Sequence, residues 1–407
     1  MANPYLGLFT APGSKGFVLA GLIARIPLPM TGIGIITLLA QLRGSYALAG
    51  AVAASFVLAY ALLSPQISRL VDRHGQYRVL PVAAAVCIAG LALLLAATWL
   101  QMHDAVLFIG ALMAGAMPSI SAMIRARWTA IYSGQPQLQT AFSLETVLDE
   151  VTFVVGPPLS VGLSVAVFPQ AGLLVGMLLL ALGVFTLVVQ RASEPPSETG
   201  GTAATRPRSV IHLPDVRLLT LLMVGLGIIV GTVDIVSVAF ADEAGNPAAA
   251  SLVLSAYAVG SCLAGLVFGA LTLRTPMHRL LFLGGSATAL TTLPLLLVDS
   301  TPTLAASVFV AGLFFAPTMI VAMSLIERAV PESQLTEGMT WLLAGLNVGV
   351  AAGAFASGQV VDLAQASAGF SVALCGAAVV LLSALVAYRR FANRVSRCDG
   401  NPAQPSI

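Results

Sequence analysis

The sequence predicts an all-α membrane protein with twelve transmembrane helices in two six-helix pseudo-symmetric halves. Three observations predict it: hydrophobic residues fill 58% of the 407 positions, charged residues fill only 9%, and 17 of the 19 Lys and Arg fall at alternate breaks between long apolar segments. A soluble fold of this length has too little polar surface to cover so much apolar side chain, so the composition calls for a bilayer as solvent.

Crossing about 30 Å of hydrocarbon takes a helix of roughly 20 apolar residues. Segments that long fall at 17–41, 46–67, 79–100, 104–125, 139–166, 169–190, 215–240, 248–272, 279–298, 302–325, 336–361 and 368–389. The even count puts both termini on one side. Lys15 precedes the first span; Arg69, Arg73 and Arg78 fill the second break, Arg125 and Arg127 the fourth, and Arg191, Arg206, Arg208 and Arg217 the sixth. Arg274 and Arg279 fill the eighth, Arg328 the tenth, and Arg389, Arg390, Arg394 and Arg397 follow the last span. Basic loops stay in the cytoplasm on insertion, so a multi-pass protein of the cell membrane, bacterial inner or plasma membrane, is expected with both termini cytoplasmic. The first span is long and carries Arg25, unlike a cleaved signal peptide.

The charges mark topology and form no basic patch interleaved with aromatics, so nucleic acid is excluded as a partner. Cys87, Cys262 and Cys375 lie in apolar spans and Cys398 in the tail, without metal or disulfide spacing, and no cofactor or metal is expected. No His, Cys or Ser cluster of catalytic spacing lies in the spans, so an enzyme is not expected. No ATP-binding Gly-Lys motif occurs, which leaves an ion or substrate gradient as the energy source.

The polar, Pro/Gly-rich stretch 191–214 cannot bury enough apolar surface to fold alone and reads as a cytoplasmic linker. It divides an N-terminal half, 1–190, from a C-terminal half, 215–390, with a tail at 391–407. The halves echo each other: Gln137-Leu138 matches Gln334-Leu335, and the same offset brings Gly156 onto Gly353 and Ser160 onto Ser357. Pro118 and Ala122-Met123 likewise match Pro317 and Ala322-Met323. Parallel repeats of this kind build many transporters.

The second break reads Ser68-Arg69-Leu70-Val71-Asp72-Arg73-His74-Gly75-Gln76-Tyr77-Arg78. It resembles the Gly-x-x-x-Asp-Arg-x-Gly-Arg-Arg loop of the major facilitator superfamily, with Ser68 for the first Gly and Gln76 where a basic residue is usual. The resemblance extends over nearly the whole chain and implies a monomeric transporter working by alternating access on a small-molecule substrate. Gly75 permits a tight turn, and Asp72 with Arg73 and Arg78 can form an ion-pair latch at the inner helix ends. In the fifth span, Gly156-Pro157-Pro158 looks like the Gly-Pro motif of family antiporters that export drugs and metabolites, although Ser160-Val161 replaces the paired Gly that follows it there. Two prolines remove backbone donors and bend a helix.

A charge inside a membrane span is costly enough to be read as functional, with a partner. The fifth span carries Glu145, Asp149 and Glu150; the first two share a face and the third lies about 100° round. Arg25 in the first span reaches a similar depth and is the expected counter-ion. Three carboxylates against one guanidinium would let one acid carry a proton near neutral pH. Pro27 and Pro29 break the first span just after Arg25, so Arg25, Pro29 and Met30 are expected at a substrate cavity, together with Asp234 of the seventh span and Asn347, which the repeat offset places where the fifth span has Glu150. Trp128 and Trp341 lie near inner helix ends. The expected activity is proton-coupled export, by antiport, of a small organic molecule or drug; the alternative is a symporter or facilitator for a nutrient or organic anion, with Arg25 binding an anionic group. Either H⁺ or Na⁺ could be the coupling ion.

Overall fold

In a computed structural model the described residues, 4–43, 46–196, 208–245, 249–271, 275–363 and 366–399, are helical with no strand among them. Arg206, Arg274 and residues 197–207 of the polar linker lie outside these residues, as do the side chains of Arg394, Arg397 and Cys398. Among the described residues eleven helical spans, with Ser14–Arg43 taken as one, are long and apolar enough to cross a membrane, and Asp104–Ala114 is a shorter apolar helix.

The helices are α1 (Pro4–Leu8), α2 (Ser14–Arg25), α3 (Pro27–Arg43), α4 (Tyr46–His74), α5 (Gln76–Trp99), α6 (Asp104–Ala114), α7 (Ile120–Tyr132), α8 (Gln137–Ala166) and α9 (Ala171–Val189). They continue as α10 (Pro214–Glu243), α11 (Ala249–Ala270), α12 (Met277–Thr292), α13 (Thr301–Ala329), α14 (Leu335–Leu363) and α15 (Phe370–Asp399). The chain forms two compact units, Met1–Val210 with Val330–Ala344, and Ile211–Ala329 with Gly345–Ile407. The start of α14 and the end of the linker therefore group with the N-terminal helices.

Two breaks shape the first unit. The first span is two helices, α2 and α3, joined at Ile26, because Pro27 brings no N–H to the ladder. The fourth span, expected as one helix over 104–125, is also two: α6 ends at Ala114, Gly115 to Pro118 are not helical, and α7 starts afresh at Ile120. Ser119 caps the new helix, its hydroxyl accepting from the Ala122 N–H at 3.2 Å. The corresponding Pro317 sits inside the unbroken helix α13, so the two halves answer the same proline differently. α7 runs on to Tyr132, well past Arg125, which turns Arg125 and Arg127 into buried residues, 0% and 1% exposed.

The second unit closes by backbone contact. Side chains built on Gly227 and Gly231 of α10 would lie 2.1 Å from the Leu346 carbonyl and 2.0 Å from the Val350 carbonyl of α14. Side chains on Gly349 and Gly353 would meet the Val224 and Ile228 carbonyls at 2.2 Å and 2.3 Å. Small residues at a spacing of four on both helices let the two backbones touch, the packing that serves best where no water drives helices together. An ion pair, Arg390 Nε to Asp215 Oδ1 at 2.5 Å, ties α15 to α10. Outward-facing side chains are large and apolar, with Leu297 85%, Phe355 72% and Phe185 68% exposed, as hydrocarbon permits.

Gly231→Val, which forces a branched side chain into the α10–α14 seam, should cost about 1–3 kcal/mol and lower the thermal unfolding midpoint of the detergent-purified protein. Gly358→Ala, where a Cβ meets nothing within 4 Å, should leave that midpoint unchanged.

Candidate functional site

α8 carries Glu145, Asp149 and Glu150, and a rise of 1.5 Å with 100° per residue stacks the first two on one face. That face meets the ends of α2 and α7. Arg25, the last residue of α2, donates from one terminal nitrogen to Glu145 Oε2 at 2.5 Å and from the other to Asp149 Oδ1 at 2.9 Å. Its Nε donates to the Gly21 carbonyl at 3.2 Å. α9 packs against the backbone beside Arg25, its Gly183 so close that a Cβ there would lie 2.4 Å from the Ala24 nitrogen.

Arg125 of α7 reaches the same acids. One terminal nitrogen donates to Asp149 Oδ2 at 2.9 Å and to Thr146 Oγ1 at 3.2 Å, and the other bonds Ser121 Oγ. Ser121 in turn donates to Asp149 Oδ2 at 2.6 Å. Trp128, one turn further on, donates its indole N–H to Glu145 Oε1 at 2.9 Å. The indole is fixed between Phe17, edge-on at 4.7 Å, and Tyr132, stacked at 5.8 Å.

Arg25 is therefore the counter-ion expected for Glu145 and Asp149, but the expected ratio of one guanidinium to three carboxylates does not hold. Arg125, read in the sequence as a topology signal, is a second one, so two cations face two anions. Arg25 is 5%, Arg125 0% and Glu145 0% exposed, while the Asp149 side chain is 17% exposed. Glu150, on the neighbouring side of α8, is partly exposed. Charge-assisted bonds of this number offset the cost of removing four ions from water, although Arg125 Nε is buried without a hydrogen-bond partner.

Above the network, Gly156 of α8 packs on Pro29, where a Cβ would lie 2.8 Å from the ring, and Ser160 Oγ donates to the Met30 carbonyl at 3.0 Å. Met30 is wholly buried inside the unit. α8 continues as helix through Pro157 and Pro158. Asp234, exposed on α10, and Asn347, partly exposed on α14, belong to the second unit.

The loop between α4 and α5 forms a second polar site. Asp72 was expected to pair with its own loop's arginines. Its carboxylate instead accepts from the backbone N–H groups of Thr336, at 3.2 Å, and Glu337, at 2.8 Å, at the start of α14, where unpaired donors and the helix dipole welcome an anion. Thr340 bonds Ser68 Oγ at 2.9 Å, which gives a role to the Ser that replaces the first Gly. Gly75 has φ 88°, open to Gly and strained for others, and a Cβ there would lie 2.8 Å from Glu194 Oε1. Glu194 accepts from the Tyr77 N–H at 3.1 Å, and Arg78 stands 5.2 Å from the Tyr77 ring centre. Gln76 is buried and accepts from Arg127 Nε at 2.8 Å. Arg127 also bonds the Gln190 carbonyl at 3.0 Å and Ser193 Oγ at 2.7 Å, joining α5, α7 and the end of α9.

Residues 17–241 and 218–397 match a family model described as Major Facilitator Superfamily. No curated protein sequence matches the chain. Among solved structures it resembles a bacterial homologue of the iron transporter ferroportin in an outward-facing state (16% identity, 94% of this chain and 100% of that one, TM-score 0.72). It also resembles the human organic anion transporter MFSD10 (14% identity, 93% and 100%, TM-score 0.70) and the E. coli fucose:proton symporter FucP (13% identity, 91% and 98%, TM-score 0.68). At these identities the likeness is one of fold.

Arg25→Met strands Glu145 as a buried, uncompensated charge and should destabilise the protein by about 3–5 kcal/mol. Arg25→Met combined with Glu145→Leu should recover much of that loss, and thermal unfolding of the two variants against wild type measures the coupling.

Proposed function

The chain belongs to the Major Facilitator Superfamily, and from that premise we propose that it exports a small organic molecule by proton antiport. Membership makes it a membrane transporter of small substrates and not an enzyme. Twelve spans in two halves, termini in the cytoplasm of a bacterial cell and alternating access by a monomer complete the reading.

One observation carries the proposal: the buried network of Arg25, Glu145, Asp149 and Arg125. A static packing role would be filled as well or better by apolar side chains, since buried ion pairs seldom add stability over hydrophobic replacements. The network is neutral as two cations and two anions. A proton on one acid leaves an uncompensated positive charge in a low-dielectric interior, and the conformation that relieves it gains population. One of Glu145, Asp149 and Glu150 carries the proton, with Arg25 as electrostatic partner.

Arg25 binding an anionic substrate group, as the importer reading requires, finds less support, because its Nε and both terminal nitrogens are already engaged. Pro29, Asp234 and Asn347 remain candidates for contact with substrate. The Asp72 carboxylate at the start of α14 acts as a conformational latch.

Reconstituted protein should accumulate substrate in inside-out vesicles with an acid interior, tested with a panel of cationic, neutral and anionic compounds. Transport indifferent to the gradient for every compound would overturn the antiport reading. Asp72→Asn turns an acceptor into a partial donor against the α14 N–H groups and should slow transport while leaving the substrate Kd unchanged; an unaltered rate removes the latch.

A further inference from the structure

The acids of the network are not equivalent, and the difference assigns them separate tasks. Glu145 is wholly buried, and each of its oxygens has one fixed donor: Arg25 on Oε2 and Trp128 Nε1 on Oε1. The Trp128 indole cannot turn away, because Phe17 and Tyr132 hold both sides of it. Asp149 differs in exposure and in the number of side-chain donors that hold it. Its side chain keeps 17% of its surface open, and it accepts from three side chains, Arg25 of α2 and Ser121 and Arg125 of α7, where Glu145 accepts from two.

We infer that Asp149 is the acid that exchanges the proton, and that Glu145, positioned by Trp128, stays ionised as the permanent counter-charge of Arg25. This rests on the proton-coupling reading above and goes beyond it by naming the carrier and by separating it from the acid four residues away.

The step is a proton transfer from a hydronium ion at the open side of Asp149. One hydronium O–H bond breaks and leaves water, an O–H bond forms on the carboxylate, which goes from −1 to 0, and the bonds it accepts from Arg125, Ser121 and Arg25 weaken. Arg25 keeps Glu145. Arg125 keeps Ser121 and Thr146 but loses its only acidic partner in the network, so the excess charge appears on α7. What the proton loosens is the Arg125–Asp149 pair between α7 and α8, while Glu145 still holds Arg25 of α2 and Trp128 of α7. Other groups that face Asp149 are few. Glu145 and Glu150 lie on its own helix, and Tyr60 of α4 acts on it electrostatically. Among the helices packed on α8, α2 adds Lys15 at its start, α7 adds Arg127 and Tyr132, α9 carries no titratable residue, α3 carries only Arg43 at its far end, and α1 carries only Tyr5.

The test needs no substrate. Infrared difference spectra of the full chain in phosphatidylethanolamine–phosphatidylglycerol liposomes, acidic against alkaline buffer, report the C=O stretch of a protonated carboxyl. Wild type should show a titrating band that is lost in Asp149→Asn, kept in Glu145→Gln and Glu150→Gln, and restored in Asp149→Glu. Ser121→Ala, which leaves every charge in place, should shift the frequency of that band, and Trp128→Phe should not; this pair holds even if Asp149→Asn fails to fold. A band lost in Glu145→Gln or Glu150→Gln and kept in Asp149→Asn overturns the assignment and leaves proton coupling intact. A wild-type spectrum with no titrating carboxyl overturns both.

Discussion

An ion in hydrocarbon has no water to return to, and the first unit is organised by that constraint. Arg25 and Arg125 come from different helices and would each cost several kcal/mol if left alone at their depth. α8 answers both with one face, Glu145 toward α2 and Asp149 toward both. Helices that dispersion forces alone would hold loosely are thereby fixed in rotation as well as distance, because a bidentate guanidinium tolerates little change of angle. The break at Ile26 ends α2 at Arg25, and the break before Ser119 starts α7 afresh so that Arg125 lies inside a helix that faces α8.

Backbone donors are subject to the same rule as side-chain charges. A helix that starts in or near the membrane leaves its first N–H groups unpaired, and two starts in the first unit are met by a side-chain acceptor. Ser119 serves α7, and Asp72 serves α14 from a neighbouring helix end. An acceptor borrowed from another element makes a helix start conditional on that element's position, and so a place where movement and charge are coupled.

The membrane class was legible because apolar length and the spacing of arginines are one-dimensional properties. The Arg25–Glu145–Asp149 pairing was legible too, since ionisable residues in apolar spans are few enough to pair by depth. Arg125, Arg127 and Trp128 were missed for the converse reason. The positive-inside rule already accounted for the two arginines, and only the restart at Ile120, which depends on Gly115 fitting against α4, carries them inward past Arg125. The partners of Asp72 were missed because they are backbone groups, which have no sequence signature. Gln76, a departure from the loop's usual basic residue, becomes intelligible only when Arg127 is seen to bond it, the cation now supplied by α7 in place of the loop.

The two units have solved helix packing by different chemistry, and the difference bears on mechanism. In the second unit α10 and α14 meet glycine to carbonyl, a contact that changes with neither pH nor ligand charge. In the first unit α2, α7 and α8 meet through four charges that a single proton unbalances. Buried charge packing is thus found in the first unit and glycine packing in the second. Among the described residues α14 is the helix whose two ends fall in different units, its start with Asp72 and Ser68 and its later turns in the glycine seam. α14 therefore begins against a carboxylate and continues against bare backbone, so the two kinds of packing meet within one helix.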